Sequence, residues 1–493
     1  MVKEINSKNN LDNSDLTVED FINKKYREYW EYSNKNGKNA ITPKEQLPEV
    51  VRKIIYASYK LNIRPNDERK TVELSGEVAK YHAHGDASIQ DSIKGVATAY
   101  KSQPATRLLQ GIGNFGYAPG DEGAAARYTS VASTPLMTAI YKDIPYVPFD
   151  TDDTGLEQPE YISTPLPMGL INGASSIGTG KSCYVAERDA REIIEWIDAL
   201  RKNKWNVEKT KEAGHPEPNP MSVTGCKTWY EPTNGYVYYE AIVHEGVNID
   251  DLTKKGRYDI ITALPPKQNA GNVMAKLINK LPTRVSNKVI DGSGKGRPTY
   301  IILPKGNLDE KDYAKYGMRT ARKEQIFVWD DEKSTMRKGG IIDIAKGWYE
   351  DRCHIVSKRL NEQKIKYLIS NHKIDLIRVF AENKMSEWKS EDVEKFFINL
   401  AKENDFHGYE INDNHELVEL TCEEAGLKDA NLVLNLSVRT FLPENVGANE
   451  ITREKNNKEI KALEKKIKNI GDTILTEARD IIDAQEKFFA EVE

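Results

Sequence analysis

The sequence predicts a multidomain α+β protein, and three observations predict it. The chain has 493 residues, too many for one compact core, so two to four domains are expected. Amphipathic helix patterns crowd both the N-terminal third and the C-terminal third. Between them lies a stretch of short apolar runs that alternate with helical ones.

The first element is read from Asp20 to Tyr32 (DFINKKYREYWEY), aromatic and charged, as a helix. Before it, residues 1–19 are rich in Asn, Asp, Ser and Lys and hold no apolar h-region, so they read as a flexible arm rather than a secretory signal. After a loop, Pro48 to Leu61 (PEVVRKIIYASYKL) is an amphipathic helix with Val50, Ile54, Ile55, Ala57 and Leu61 near one face and Pro48 at its start. A second helix is predicted from Val72 to Tyr81. A third runs from Ala87 to Tyr100, with Asp86 as its N-cap. Glycine-rich hairpin material follows from Gly111 to Gly123. This order is that of a winged helix-turn-helix, in which the later helix enters the major groove of DNA.

Tyr146 to Pro167, rich in Pro and Asp, reads as a connector. From Leu170 to Pro304, strands are expected at Tyr236–His244 and at Pro298–Leu303, and a helix at Ala270–Leu281, which together suggest a separate α/β domain. Ile342 to Phe380 is one long helical segment. Near the end Ile460, Leu463, Ile467, Ile470, Ile474, Ala478 and Ile481 form a heptad seam. That seam is expected to pair with the earlier long helix in an antiparallel coiled coil. The expected division is 1–19 arm, 20–150 DNA-binding domain, 151–340 middle domain and 341–493 coiled coil.

Composition narrows the function. Hydrophobic residues make up 39% and charged residues 30%, and no run approaches the roughly 20 apolar residues that span a bilayer. Cys183, Cys226, Cys353 and Cys422 lie far apart with no CxxC pair, which argues against a zinc site and a disulfide framework and fits a reducing cytoplasm. The net charge of −5 does not advertise a nucleic-acid binder, yet Val50 to Ser130 carries 11 Lys and Arg against 8 Asp and Glu. Binding depends on such local patches rather than on the average.

Three clusters carry chemistry. In Ala126-Arg127-Tyr128-Thr129 a tyrosine nucleophile has a guanidinium neighbour whose planar fork suits a phosphodiester. An Arg-Tyr pair is common in a chain with 24 tyrosines, so it means little alone. Lys80-Tyr81-His82-Ala83-His84-Gly85-Asp86 gathers two of eight histidines before a helix N-terminus, where phosphate is attracted and an imidazole can donate a proton. Gln110-Gly111-Ile112-Gly113-Asn114-Phe115-Gly116 permits a close-approaching backbone, but lacks the Lys-Ser/Thr of a P-loop.

Together KYHAHGDASIQD, QGIGNFG and AAARYT, with Glu160 to Gly180 (EYISTPLPMGLINGASSIGTG), resemble the breakage-reunion core of type IIA DNA topoisomerases: gyrase A, topoisomerase IV A and the phage medium subunits. Val433 to Leu463 resembles the return path to the coiled coil. The resemblance implies a winged-helix DNA-binding domain, a tower domain and a coiled coil ending in a dimerisation gate. It implies that Tyr128 forms a 5′-phosphotyrosyl bond, that Arg127 stabilises the transition state and that His82 assists acid-base chemistry. It further implies DNA contacts from His84 and Lys80 and a base-pair wedge at Ile177.

The sequence departs from the family where an arginine loop is replaced by Gly37-Lys38 and where Asp-Gly-Leu-Lys-Pro becomes Glu45-Gln46-Leu47-Pro48-Glu49. Lys38, Arg52 and Lys53 are left to supply charge there. Ala87 replaces a serine while Asp91 is kept, at the pair that anchors quinolones, so weak quinolone sensitivity is expected.

Asp150-Thr151-Asp152-Asp153 reads as a solvated loop, not a metal site. No metal is expected in this chain. The resemblance places Mg²⁺ on the Toprim domain, and ATP, in a gyrase B-like partner. It implies a homodimer acting on double-stranded DNA in a bacterial or phage-infected cytoplasm. Relaxation and decatenation are expected over supercoiling, because the chain ends soon after the coiled coil. The rival readings are an inactive DNA-binding homologue and a His-hydrophobic-His single-strand nickase.

Overall fold

The computed structural model describes residues 17–26, 42–98, 103–117, 120–151, 155–178, 181–208, 216–219, 225–231, 233–249, 256–294, 299–330, 335–412, 415, 417–437, 440 and 443–492. They divide into two compact units. The first takes residues up to 138, 150–348 and from 479 onward; the second takes 139–149 and 349–478.

In the first unit, the predicted N-terminal helix is one α-turn, Val18–Phe21, capped by Thr17 and continued as a π-turn, Ile22–Tyr26. The sequence through Tyr32 otherwise lies outside the described residues, as do residues 1–16. Three helices then form where their apolar spacing demands. Helix α1 (Glu49–Lys60) starts behind Pro48, whose fixed φ suits a helix entrance. It buries Ile54, Ile55 and Ala57 completely. Strand β1 (Arg69–Lys70) leads into α2 (Thr71–Tyr81), which buries Leu74 and Val78.

Helix α3 (Asp86–Ala97) buries Ile89, Ile93 and Ala97 at a strict four-residue step. Its N-cap is Gly85, with no side-chain cap, so Asp86 is the first helical residue rather than the expected cap. There its carboxylate still complements the helix dipole. Each fully buried Ile or Leu contributes about 1.5–3 kcal/mol relative to exposure. Strands β2 (Leu109–Ile112) and β3 (Ser130–Ser133) complete an antiparallel sheet of order β1-β3-β2.

The middle segment is built from antiparallel sheets. Lys227–Glu231, Tyr236–Glu240 and Arg319–Lys323 make one, centred on Tyr236–Glu240. Ile242–Asn248, Arg257–Ala263, Ile301–Pro304 and Ile290–Asp291 make another. The predicted strand from Tyr236 to His244 is thus two strands, which join different sheets on either side of Ala241. The expected α/β character is corrected to α+β: in these two sheets every strand pair is antiparallel, and a parallel βαβ unit would need a helical crossover between parallel neighbours. The helix Ala270–Lys280 covers the second sheet through Val273 and Leu277, which share a core with Ile261, Ile301 and Leu303.

The long helix Ile341–Glu382 begins in the first unit and continues in the second. Within the second unit it runs antiparallel to the helix Pro443–Lys468. Lys364 meets Glu464, Ser370 meets Asn456, Asp375 meets Arg453 and Arg378 meets Glu450, so partner numbers fall as residue numbers rise. The predicted seam is only partly the buried one. Ile460, Leu463, Ile474 and Ala478 are buried, but Ile467, Ile470 and Ile481 are only half-buried, and Leu475 and Ile482 are buried without having been expected. The helix restarts at Ile470 after Asn469, and in the restarted helix, Ile470–Val492, the buried Leu475, Ala478, Ile482, Gln485 and Phe489 alternate steps of three and four, a heptad in another register. A small helical cap, Ser390–Glu403 and Cys422–Leu434, packs around Phe397, Met385 and Val433, with a hairpin of Tyr409–Ile411 and Leu417–Glu419 beside it.

Candidate active site and nucleic-acid interface

Tyr128 closes a single 3-10 turn, Ala126–Tyr128, directly before β3. The turn is held on both flanks. Ala126 is buried below it, and the Tyr128 N–H donates to the Ala125 carbonyl at 2.8 Å. Thr129, 1% exposed, bonds its hydroxyl to that of Thr71 at 2.8 Å, while the Thr71 N–H donates to the Thr129 carbonyl at 3.1 Å. The N-terminus of α2 therefore clamps the residue after the tyrosine.

Above this fixed backbone the side chain is out in solvent: Tyr128 is 66% exposed. Among the described residues its hydroxyl has no hydrogen-bond partner. The exposed Arg127 guanidinium lies 4.7 Å from the Tyr128 ring centroid and makes no ion pair among the described residues. A free cation stacked on a free phenol, on a rigid turn, offers a phosphodiester a nucleophile and a charge partner in one place.

The glycine loop serves this turn from behind. Gly113, at φ +102°, sits against the Tyr128 and Thr129 backbone, and its left-handed conformation, which a side chain rarely adopts, favours glycine there. The loop's amides are spent internally: Gly116 N–H donates to Asn114 Oδ1, and Tyr117 and Gly123 N–H donate to the Asp121 carboxylate. It is a folded support, not a phosphate cradle.

The histidines stand elsewhere. His82 caps the C-terminal end of α2 and is 8% exposed, with its ring 4.1 Å from that of the exposed His84. Thr71, at the other end, is the residue that touches the Tyr128 turn. The 11 residues of this helix separate the two ends by about 16 Å. Arg127 and Tyr128 are thus brought together, whereas His82 and His84 form a second cluster, out of hydrogen-bond reach of the same chain's phenol. Lys80 is exposed and paired with Glu77 at 2.6 Å. Gly85 to Ser88 are exposed, and Ala87 and Asp91 lie one turn apart on the open face of α3.

Arg52 and Lys53, expected as DNA contacts, each have a carboxylate partner in the fold. Neither is a free cation: the side chain of Arg52 is 14% exposed and bound to Glu45 at 2.9 Å and to the Glu160 carbonyl. Lys53, 8% exposed, is paired to Glu49 at 2.9 Å. Burial pushes Glu49 up, but the Lys53 ammonium, Arg52 and His82 outweigh it and hold that carboxyl below its ordinary value. The residues Glu45-Gln46 that replace the family's motif form a structural joint. Gln46 bonds the Ile344 carbonyl and the Gly169 N–H, and Glu45 accepts from the Ile162 N–H.

Lys38 lies outside the described residues, as do Asp152 and Asp153, whereas Asp150 lies on the edge strand Phe149–Thr151. Ile177 sits on the hairpin Ala174–Gly178/Lys181–Val185, opposite Ser182. Sequence reading missed the cations beside that hairpin: Arg322 reaches Ser175 at 3.1 Å and Lys267 at 3.5 Å, two residues from Ile177 on its strand. Nothing in the local sequence links three positions so far apart. Near Tyr128 no acidic cluster suited to a divalent ion exists among the described residues, so the Mg²⁺ that the resemblance implies does not fit this chain's own turn.

The family profile for the A subunit of DNA gyrase/topoisomerase IV matches residues 47–479. The chain belongs to this family. Relatives include the DNA gyrase A subunit of Synechocystis sp., 31% identical over 56% of this chain and 33% of that protein. That of Thermotoga maritima is 29% identical over 67% and 43%. The A subunit of DNA topoisomerase 4 from Mycoplasma pneumoniae is 35% identical over 54% and 34%. The chain thus spans a third to under half of these relatives' length. The motifs around Tyr128 and His82 that suggested the family lie inside the matched region. Among the described residues no helix is long and apolar enough to cross a membrane.

Proposed function

We propose that this chain is the breakage-and-rejoining subunit of a type IIA DNA topoisomerase, with Tyr128 as the nucleophile. The observation that carries this reading is the exposed Arg127–Tyr128 pair on a turn whose backbone is fixed by Thr71, Thr129 and Gly113. The Tyr128 oxygen attacks a backbone phosphorus and the 3′ oxygen of the neighbouring nucleotide leaves, giving a 5′-phosphotyrosyl link. The reverse attack reseals the strand, and no ATP is consumed in either step because one phosphoester replaces another. Arg127 holds the non-bridging oxygens as charge builds on them.

Helices α1–α3 with their sheet read as a winged helix, which presents the N-terminal end of α3, His84 and Lys80 to the duplex. Ile177, two residues along its strand from the Ser175 that Lys267 and Arg322 reach, reads as the wedge that kinks it. Two copies would break both strands and stay joined through the second unit, acting as its dimerisation gate, while another duplex passes. Mg²⁺, which would stabilise the reacting and leaving oxygens, and ATP are assigned to a Toprim/ATPase partner like gyrase B. Since His82 lies a helix length from Tyr128, any help it gives to a phosphate reaches that phosphate from another copy's turn or acts on DNA binding alone.

The test is trapping. The chain, with a gyrase B-type partner and Mg²⁺, is incubated with labelled duplex and then denatured. A DNA–protein adduct is expected, and Tyr128→Phe should abolish it while leaving non-covalent binding within about twofold. An adduct that survives Tyr128→Phe would refute the assignment. Binding without any adduct would favour the inactive, DNA-binding homologue. Cleavage of single strands without the partner would favour the nickase.

A further inference from the structure

In the second unit, two neighbouring residues and a third fifteen positions on converge. Asp405, His407 and Cys422 each offer one ligand atom, and these atoms all lie within 4.8 Å of one another. His407 Nε2 is 3.4 Å from Asp405 Oδ1 and 3.6 Å from Cys422 Sγ. Tetrahedral zinc, with bonds of about 2.0–2.1 Å to nitrogen, 2.0–2.2 Å to carboxylate oxygen and 2.3 Å to sulfur, sets N and O about 3.4 Å apart and N and S about 3.6 Å apart. The two separations are therefore those of adjacent edges of a zinc tetrahedron.

The surroundings support each ligand. His407 Nδ1 is 3.1 Å from the Leu420 carbonyl. A proton on Nδ1, donated to that oxygen, leaves the Nε2 lone pair facing Asp405 and Cys422, the tautomer that a metal-binding histidine takes. The ring is kept in place because Leu420 N–H donates to the Gly408 carbonyl at 2.8 Å. Cys422 is the first residue of its helix, whose start is fixed by a capping box between Thr421 and Glu424.

Asp405 occupies the left-handed position that ends the helix Ser390–Glu403, at φ +48°. Phe406 N–H returns to the Ala401 carbonyl and Asp405 N–H to that of Lys402, the Schellman pattern. Glycine is the low-energy residue there, so a carboxylate at this position carries a backbone cost that a ligand role would offset.

We propose that Asp405, His407 and Cys422 form a site for one zinc-class divalent ion, with a fourth, open position. The wide spacing of the cysteines argues in the sequence against zinc; the fold supplies one thiolate, one imidazole and one carboxylate instead. The ion would tie the end of one helix, the strand entrance at Gly408 and the start of the next helix together.

The test uses the full-length chain, stripped of metal and titrated with Co²⁺ and then Zn²⁺. One equivalent of Co²⁺ should give a thiolate-to-cobalt charge-transfer band in the near ultraviolet, which Zn²⁺ displaces. Cys422→Ser should remove the band, His407→Ala should weaken binding at least tenfold, and Cys353→Ser should leave both unchanged. Far-ultraviolet circular dichroism of each variant separates lost ligation from lost folding. If any of these variants unfolds, Asp405→Asn, which keeps the backbone position, should still shift the band. Absence of a thiolate band in the folded wild type, or a band insensitive to Cys422→Ser, overturns the proposal.

Discussion

At the scale of single residues, Glu45 shows how a departure from a family motif becomes structure. Burial pushes its carboxyl up to about 7, only partly opposed by Arg52 and the Ile162 N–H. Between the ordinary value of 4.5 and about 7 the folded chain holds a proton that the unfolded chain releases. Glu45 therefore favours folding most below pH 4.5, and its contribution falls as pH rises to about 7. Urea unfolding of wild type and Glu45→Gln should show wild type losing ground to the variant between about pH 5 and about pH 7.5; a pH-independent gap would contradict the burial argument. Ala87 carries a second prediction. It and Asp91 share the open face of α3, and Ala87→Ser should raise quinolone trapping of cleaved DNA at least severalfold in the reconstituted enzyme. The inward turn of Lys53 was legible in part, since Glu49 stands four residues before it, the spacing of a helical ion pair. That of Arg52 was not, because its partner carbonyl at Glu160 is brought by the fold.

At the scale of elements, the three N-terminal helices were readable because their apolar residues recur at helical steps and short breakers end them. Their boundaries shifted by one residue, except that α3 ends at Ala97, three residues before the expected Tyr100. The C-terminal seam was misread in register: the buried positions keep a heptad but run through Leu475 and Ile482, and Ile481 and Ile482 are indistinguishable by hydrophobicity. The two can be told apart by truncation. Ile482→Ala, at a 1% exposed position, should cost about 2–5 kcal/mol in denaturant unfolding, and Ile481→Ala less than half of that. Equal costs would overturn the register that buries Ile482. The middle segment's sheets defeated sequence reading for a different reason. Strand periodicity says nothing about parallel or antiparallel pairing, which depends on partners such as Tyr236–Glu240 and Arg319–Lys323, far apart in the chain. The same holds for the Arg322, Lys267 and Ser175 group, where convergence of distant positions leaves no local pattern; of Asp405, His407 and Cys422 only the first two are neighbours in sequence, and the fold brings the third.

At the scale of the whole molecule, the second unit has a polar centre. Asp143, fully buried, receives Arg352 at 2.9 Å and Arg359 at 2.5 Å, and Arg359 also meets Glu477 at 2.5 Å. Breaking such a buried network leaves charges without compensation and costs about 3–5 kcal/mol. Asp143→Ala should lower one calorimetric transition and leave the circular dichroism of the remaining structure intact at low temperature; an unchanged melting profile would show the network to be dispensable. The chain passes from one unit to the next inside the helices Ile341–Glu382 and Ile470–Val492, where no break in composition marks the passage. The turn that carries Tyr128 has a further consequence at this scale. Its phenol finds no proton acceptor among the described residues of its own chain, so on the proposed function an unassembled copy is chemically idle. Overproduction of this polypeptide alone should leave chromosomes undamaged, and genome safety would then be governed by the stoichiometry of assembly.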